Sequence, residues 1–245
     1  MKTKARLDQL LVDRGLAETK SRAHALVLAG VVFSGEQRLD KPGHLVPPDT
    51  KLEVRGAPYP WVSRGGVKLA HGLEHFRVDP SAKVCLDVGA STGGFTDVLL
   101  QGGAAKVYAV DVGKAQLDWK LRTDPRVVVL EGVNARTLSS AAVPEPVDLV
   151  VCDASFIGLE VVLPAALALA KPTATLIALI KPQFEVGPER VGKGGVVRDP
   201  ALHDEVTARI AAWLTGLGWR VLGVSQSPLL GPAGNAEFLI GASRG

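Results

Sequence analysis

The stretch Cys85-Leu-Asp-Val-Gly-Ala-Ser-Thr-Gly-Gly-Phe-Thr96 constrains this chain more than any other. Val84 to Val88 give a short apolar run that ends at a glycine, the pattern of a buried strand. Gly89 permits a sharp turn, and Gly93 and Gly94 are expected to let backbone approach a ligand where the next helix begins. Strand, acidic glycine turn and helix, in that order, build the ligand-binding edge of an open α/β sheet. The spacing D-x-G-x-x-x-G-G is not the dinucleotide fingerprint G-x-G-x-x-G. A pyrophosphate wants bare amides and is repelled by a carboxylate at position 87. A sulfonium with an amino-acid tail accommodates one. The expected cofactor is therefore S-adenosylmethionine (SAM), with NAD as the runner-up.

Asp87 and Ser91 are expected to face the amino-acid end of that cofactor, with Gly89, Thr92, Gly93, Gly94 and Phe95 shaping the turn. Asp111, followed by Val112, closes the next apolar run about 20 residues later, where an acidic side chain can accept both ribose hydroxyls. Asn134, after a third run, is placed to meet an adenine edge. Many enzymes of this kind carry aspartate near there, so a plain loop asparagine stays open.

From residue 84 onward the order is βαβα. Strands are expected at 84–88, 106–111, 126–130, 147–152 and 174–180, with helices near 94–102, 114–122, 159–170 and 201–217. Two last strands, 219–225 and 236–241, follow without a helix between them and are joined by the Gly/Pro-rich SPLLGPAGN. The pattern is that of an α/β, Rossmann-like, SAM-dependent methyltransferase with a seven-stranded, mainly parallel sheet.

The first quarter differs. Residues 1–60 hold 10 basic against 7 acidic residues, whereas residues 61–245 hold 18 of each, so the net charge of +3 sits wholly in the first segment. Such a bias suits a polyanion-binding module on a neutral catalytic body. RLDQLLVDRGL reads as a helix stopped by Gly15, Thr19 caps a helix over 20–29, and Gly30 ends it. Its apolar face is Ala23, Leu26, Val27 and Ala29. Val31-Val32-Phe33, a Ser34-Gly35-Glu36 turn and a strand over 51–55 complete a small α+β unit. The expected domains are 1–56, a Pro-rich joint over 57–62, and 63–245. The two cysteines lie in apolar runs, the N-terminus lacks a signal-like apolar core, and no 18-residue apolar span occurs. A cytoplasmic protein without membrane, DNA or metal partners, monomeric or weakly dimeric, is expected.

The segment RLDQLLVDRGLAETKSRAHALVLAGVVFSGE resembles the small RNA-binding domain shared by a small-subunit ribosomal protein, bacterial pseudouridine synthases and tyrosyl-tRNA synthetase. That resemblance makes Arg6, Lys20, Arg22, Arg38 and Lys41 candidates for contact with RNA phosphates. Each is equally readable as a solvated surface charge.

Four further residues are brought to one sheet edge by the expected topology: Lys68 in SRGGVKLAHGL, Asp153 in VVCDASF, Lys181 in LIKPQFE and Glu237 in GNAEFLI. Lysines that follow apolar runs are costly unless paired, and the two acids are suitable partners. The set resembles the catalytic residues of FtsJ-type ribose 2′-O-methyltransferases. By that resemblance Lys181 orients or deprotonates the ribose hydroxyl, Asp153 and Glu237 hold and tune the lysines, and Lys68 steers the hydroxyl or the neighbouring phosphate. VSRGGVKL, LDVGASTGGFTDVLL, CDASFIGL, LIKPQFEVGPERVGKGGVVRD and GNAEFLIG together resemble the TlyA family over residues 4–242. Membership implies 2′-O-methylation of cytidine in ribosomal RNA within one or both ribosomal subunits. It also makes Arg64 and the glycine-rich loop with Arg190, Lys193 and Arg198 candidates for RNA contact, the loop being expected to close on the substrate. A tRNA substrate, a non-catalytic RNA-binding protein, a small-molecule methyltransferase and a membrane-active haemolysin are the alternatives. The loop after Asp153 lacks the prolines of N6-adenine and N4-cytosine enzymes, and Cys152 precedes the loop where a cysteine nucleophile would be needed.

Overall fold

The computed structural model describes residues 4–17, 19–28, 30–55, 59–231 and 233–245, and the chain divides into two compact units, Met1–Pro60 and Trp61–Gly245. Ala29 of the expected second helix, Gly56 to Pro58 of the expected joint and Pro232 lie outside the described residues.

The first unit runs β1 (Ala5–Arg6), α1 (Leu7–Asp13), α2 (Lys20–Leu28), β2 (Val32–Ser34), β3 (Gln37–Arg38), β4 (Leu45–Val46) and β5 (Glu53–Val54). The two helices turn Leu7, Leu10, Leu11, Ala23, Leu26 and Val27 onto one core with Val31, Val32, Leu39, Val46 and Leu52. Gly15 and Gly30, at φ +67° and +71°, follow the helix ends in the left-handed conformation that only glycine adopts cheaply. β3, β2 and β5 form one small antiparallel sheet, and β1 pairs with β4 in another. The β1–β4 pairing had no sequence signal, because two residues per strand show no alternation.

The second unit runs α3 (Gly65–His75), β6 (Val84–Val88), α4 (Gly94–Gln101), β7 (Lys106–Asp111), α5 (Trp119–Arg122), β8 (Val127–Glu131), β9 (Val147–Cys152), α6 (Leu159–Val162), α7 (Pro164–Ala168), β10 (Ala170–Ile180), α8 (Pro182–Glu185), α9 (Pro200–Gly216), β11 (Arg220–Gln226) and β12 (Phe238–Ser243). The sheet order is β11-β12-β10-β9-β6-β7-β8, and β12 alone runs against its neighbours. Alternate residues of the buried strands face opposite layers. Leu86, Val88, Val150, Cys152, Ala178 and Ile180 pack with α6, α7 and α9. Cys85, Val107, Leu149, Val151, Ile177 and Leu179 pack with α3 and α4.

Two expected helices are corrected. The span 159–170 is broken into α6 and α7, since Pro164 has no N–H to bond back and sits instead at the first position of α7. Its last residue opens β10, whose register shifts between Ala170 and Thr175, around Pro172. The span 114–122 forms only the single turn α5. Its first half is held open by the Glu131 carboxylate, which accepts from the amides of Ala115, Gln116 and Leu117 at 2.8, 2.9 and 3.1 Å.

Candidate active site

Parallel strands in register end at the same level. Val88 lies opposite both Val110 and Cys152, and Cys152 lies opposite Ala178. Their carboxyl ends therefore deliver Gly89, Asp111, Asp153 and Lys181 to one edge. The reversed strand β12 starts where they stop, with Phe238 opposite Ile180, so Glu237 arrives at that edge too. This edge borders a cleft of about 520 Å³, within the ~300–1,000 Å³ usual for small-molecule sites.

Val88, Val110, Val133, Ile157 and Val162 give the cleft apolar walls, and Gly89, Ser91, Asp111, Val112, Asn134 and Asp153 stand at its rim or floor. Asp111 accepts from the Ser91 amide at 2.8 Å and the Gly113 amide at 2.7 Å. A carboxylate thus already occupies the turn amides that a pyrophosphate would need. Each of its oxygens keeps lone pairs for ribose hydroxyls. Asn134 accepts from the Arg136 amide with Oδ1 at 3.0 Å, which turns its donor Nδ2 to other partners. The donor set and the acidic rim fit a nucleoside with a cationic, amino-acid-like tail and do not fit a dinucleotide.

Asp87, Thr92, Gly93, Gly94 and Phe95 are not among the cleft-lining residues. Asp87 points from β6 toward α4, fully buried, and accepts from the Thr96 hydroxyl at 2.7 Å. Among the described residues its Oδ1 has no hydrogen-bond partner, and burial pushes the carboxyl up to about 7. Gly93 and Gly94 are required by packing. A Cβ on Gly93 would meet Leu121 at 2.2 Å, and one on Gly94 would meet Ser63 Oγ at 2.3 Å. Gly89 is needed at φ +83°, where a Cβ would strike the Ala154 backbone at 2.9 Å. Thr92 is exposed, and Phe95 belongs to the core beneath the turn.

The four expected catalytic side chains meet. Lys68 Nζ lies 2.6 Å from Glu237 Oε2 and 3.9 Å from Asp153 Oδ2. Lys181 Nζ lies 2.6 Å from Asp153 Oδ1. They form a line of alternating charge, Glu237–Lys68–Asp153–Lys181. Glu237, Lys68 and Lys181 are only 1, 4 and 7 % exposed. Pairing is what makes burial of these ions tolerable. Sequence reasoning missed Ser155, whose Oγ is 2.7 Å from Lys181 Nζ. It missed Glu185 as well, which accepts from the Leu159 amide at 2.8 Å and so pins the loop after Asp153 to α8. Burial pushes the Glu185 carboxyl up to about 7. The signal for Ser155 was its place two residues beyond an acidic strand end, in a loop of fixed direction.

The expected RNA contacts are less uniform. Arg6 is committed to the buried Asp8 at 3.0 and 2.7 Å, and Arg190 grips Glu205 with two bonds of 2.5 Å. Lys20, Arg38 and Lys41 are exposed in the first unit, and Lys193 and Arg198 in the second, while Arg22 and Arg64 are partly buried. The glycine-rich loop is a tight turn, Gly192 bridging Val196, with Gly194 and Gly195 at φ +78° and +77°. The buried Asn235 fastens it, donating to the Gly195 carbonyl and accepting from the Val197 amide, both at 2.9 Å.

Comparison with known proteins agrees with this geometry. The FtsJ-like methyltransferase family matches residues 61–244. The 16S/23S rRNA (cytidine-2′-O)-methyltransferase TlyA of Mycobacterium tuberculosis is 49% identical over 241 residues, 98% of this chain and 90% of its own. Hemolysin A of Brachyspira hyodysenteriae is 37% identical over 236 residues, 96% of this chain and 98% of its own. A solved structure from Streptococcus thermophilus, carrying a hemolysin name, is 40% identical with a TM-score of 0.78, covering 100% of this chain and 90% of its own. With a seven-stranded sheet, a cleft at its carboxyl edge and a largely buried Lys-Asp-Lys-Glu line beside it, the chain belongs to the TlyA family of FtsJ-like methyltransferases.

Proposed function

We propose that this protein transfers a methyl group from SAM to the ribose 2′-hydroxyl of cytidine in ribosomal RNA. The observation that carries the reading is the charge line Glu237–Lys68–Asp153–Lys181 beside a cleft suited to a nucleoside. Bound SAM supplies an already activated methyl group. The chain supplies position and proton handling. Asp111 holds the ribose of the cofactor, Asn134 meets its adenine, and Val112 and Ile157 pack beside that ring. The acidic rim favours the cationic end. Lys181 orients the attacking hydroxyl and takes or redirects its proton, Asp153 fixes Lys181, and Glu237 anchors Lys68, which steers the ribose or its phosphate.

In the same reading the first unit binds RNA through Lys20, Arg22, Arg38 and Lys41, with Arg64, Lys193 and Arg198 touching phosphate near the cleft. Arg6 then acts mainly as the clamp of Asp8, and Arg190 as a tie to α9. The domain division at residue 60, the module's basic charge and its exposed cations support this assignment. Cytoplasmic action on ribosomal subunits follows. Among the described residues no helix is long and apolar enough to cross a membrane.

The test is methyl transfer from labelled SAM to unmethylated small and large ribosomal subunits, assayed separately, with labelled nucleosides identified after digestion. Label in 2′-O-methylcytidine, absent with the Lys181→Ala variant, is expected. Label on a base would overturn the catalytic assignment.

A further inference from the structure

We propose that Ser155 is a positioning residue for Lys181, holding its amine toward the cleft until the ribose hydroxyl takes over that hydrogen bond; this rests on the 2′-O-methyl transfer just described. An ammonium carries three N–H donors. Lys181 Nζ meets three oxygens: Asp153 Oδ1 at 2.6 Å, Ser155 Oγ at 2.7 Å and the Asp153 carbonyl at 3.2 Å. Two hydrogen bonds, to Ser155 Oγ and the Asp153 carbonyl, hold the amine beside the Asp153 carboxylate, so a substrate hydroxyl that replaces one of these partners gains an N–H already aimed.

The three are not equally displaceable. Two belong to Asp153, whose own amide donates to the Val88 carbonyl at 3.0 Å and locks it to the end of β6. Its carboxylate and carbonyl can only accept. Ser155 carries a hydroxyl, which donates as well as accepts and swings about a single bond. It is exposed and lines the cleft, whereas Lys181 behind it is buried. Substrate entering from the cleft therefore meets Ser155 first. A ribose 2′-hydroxyl has the same donor and acceptor character as the serine hydroxyl. It replaces Ser155 Oγ on Nζ with the number of hydrogen bonds unchanged. Without Ser155, the N–H that it accepts loses its partner and the amine leans toward Asp153, away from the substrate.

The test compares Ser155→Ala and Ser155→Thr with wild type in steady-state methyl transfer to ribosomal subunits, alongside direct titration of SAM. Misaiming a reacting group by an ångström costs about a hundredfold, so Ser155→Ala is expected to lose roughly 10- to 100-fold in kcat. Its KM for subunits and Kd for SAM should stay within about twofold of wild type, since uniform binding is untouched. Ser155→Thr keeps the hydroxyl and should recover most of the lost rate. Wild-type kcat in Ser155→Ala, a threonine variant no better than alanine, or a loss confined to SAM affinity would each overturn the proposal. If wild type labels 2′-O-methylcytidine and one of those results appears, only the role of Ser155 fails. Label on a base in wild type overturns the parent reading, and this one with it.

Discussion

Two buried carboxylate clusters in this molecule look alike on paper and do opposite things. In the first unit Asp8, with no exposed surface, accepts from Arg6 at 2.7 Å and from the His24 ring at 2.8 Å. These contacts, and the Gln9 amide, hold its carboxyl well below the usual carboxylate range. In the second unit Asp153 lies between Lys68 and Lys181. Asp8 collects partners from β1, α1 and α2, and the Arg6 and His24 side chains are themselves half in water. The tetrad gathers residues far apart in the chain from α3 and three strand ends, and buries its cations beside a cleft. Burial of a paired charge is therefore no mark of chemistry by itself. A site shows itself by buried cations, remote origins and an adjoining cavity together.

The largest effect should come from breaking the second cluster. Lys181→Met is expected to lower kcat by roughly 10²- to 10⁴-fold, while SAM titration shows affinity retained. A loss of SAM binding of similar size would erase the distinction drawn here. Asp87 sharpens the contrast as a buried carboxyl with no cation. Its value of about 7 lies above that of an unfolded aspartate, so the folded protein prefers it protonated. That contribution is whole below about pH 4 and is lost as pH rises through 7, for roughly 1–3 kcal/mol. Thermal unfolding at pH 5 and pH 8 should show wild type losing more stability than Asp87→Asn over that interval. Asp8→Ala should cost the first unit about 1–2 kcal/mol through lost hydrogen bonds, read by denaturant unfolding, with SAM affinity unchanged. Arg190→Ala removes an exposed pair, and no resolvable stability change is expected from the same melts. A larger change would mean that the glycine-rich loop depends on Glu205 as well as on Asn235.

Much of this was legible in the residues, for identifiable reasons. The central strands announced themselves because a doubly covered parallel strand is an unbroken apolar run. The tetrad was legible because acids and lysines directly after such runs have one edge to occupy. Where the sequence misled, a local preference met a tertiary partner. Residues 114–122 looked helical, and Glu131, a strand away, captured the amides of Ala115, Gln116 and Leu117. The packing need at Gly93 and Gly94 was invisible locally, because Leu121 and Ser63, which crowd them, come from elsewhere in the chain. Arg6 and Arg190 looked free because nothing local reveals that Asp8 and Glu205 will claim them.

The reversed direction of β12 has a consequence in time as well as in space. This strand follows β11 in the chain yet lies between β11 and β10 in the sheet. During synthesis, the first six strands of the second unit can emerge and five of them assemble, leaving β11 with no neighbour to pair with. The Lys68 amine then waits in the interior without the Glu237 carboxylate. Insertion of β12 seats the last strand and delivers the final charge in a single event. Closing the sheet and completing the Glu237–Lys68 pair are thus one and the same step in building this fold.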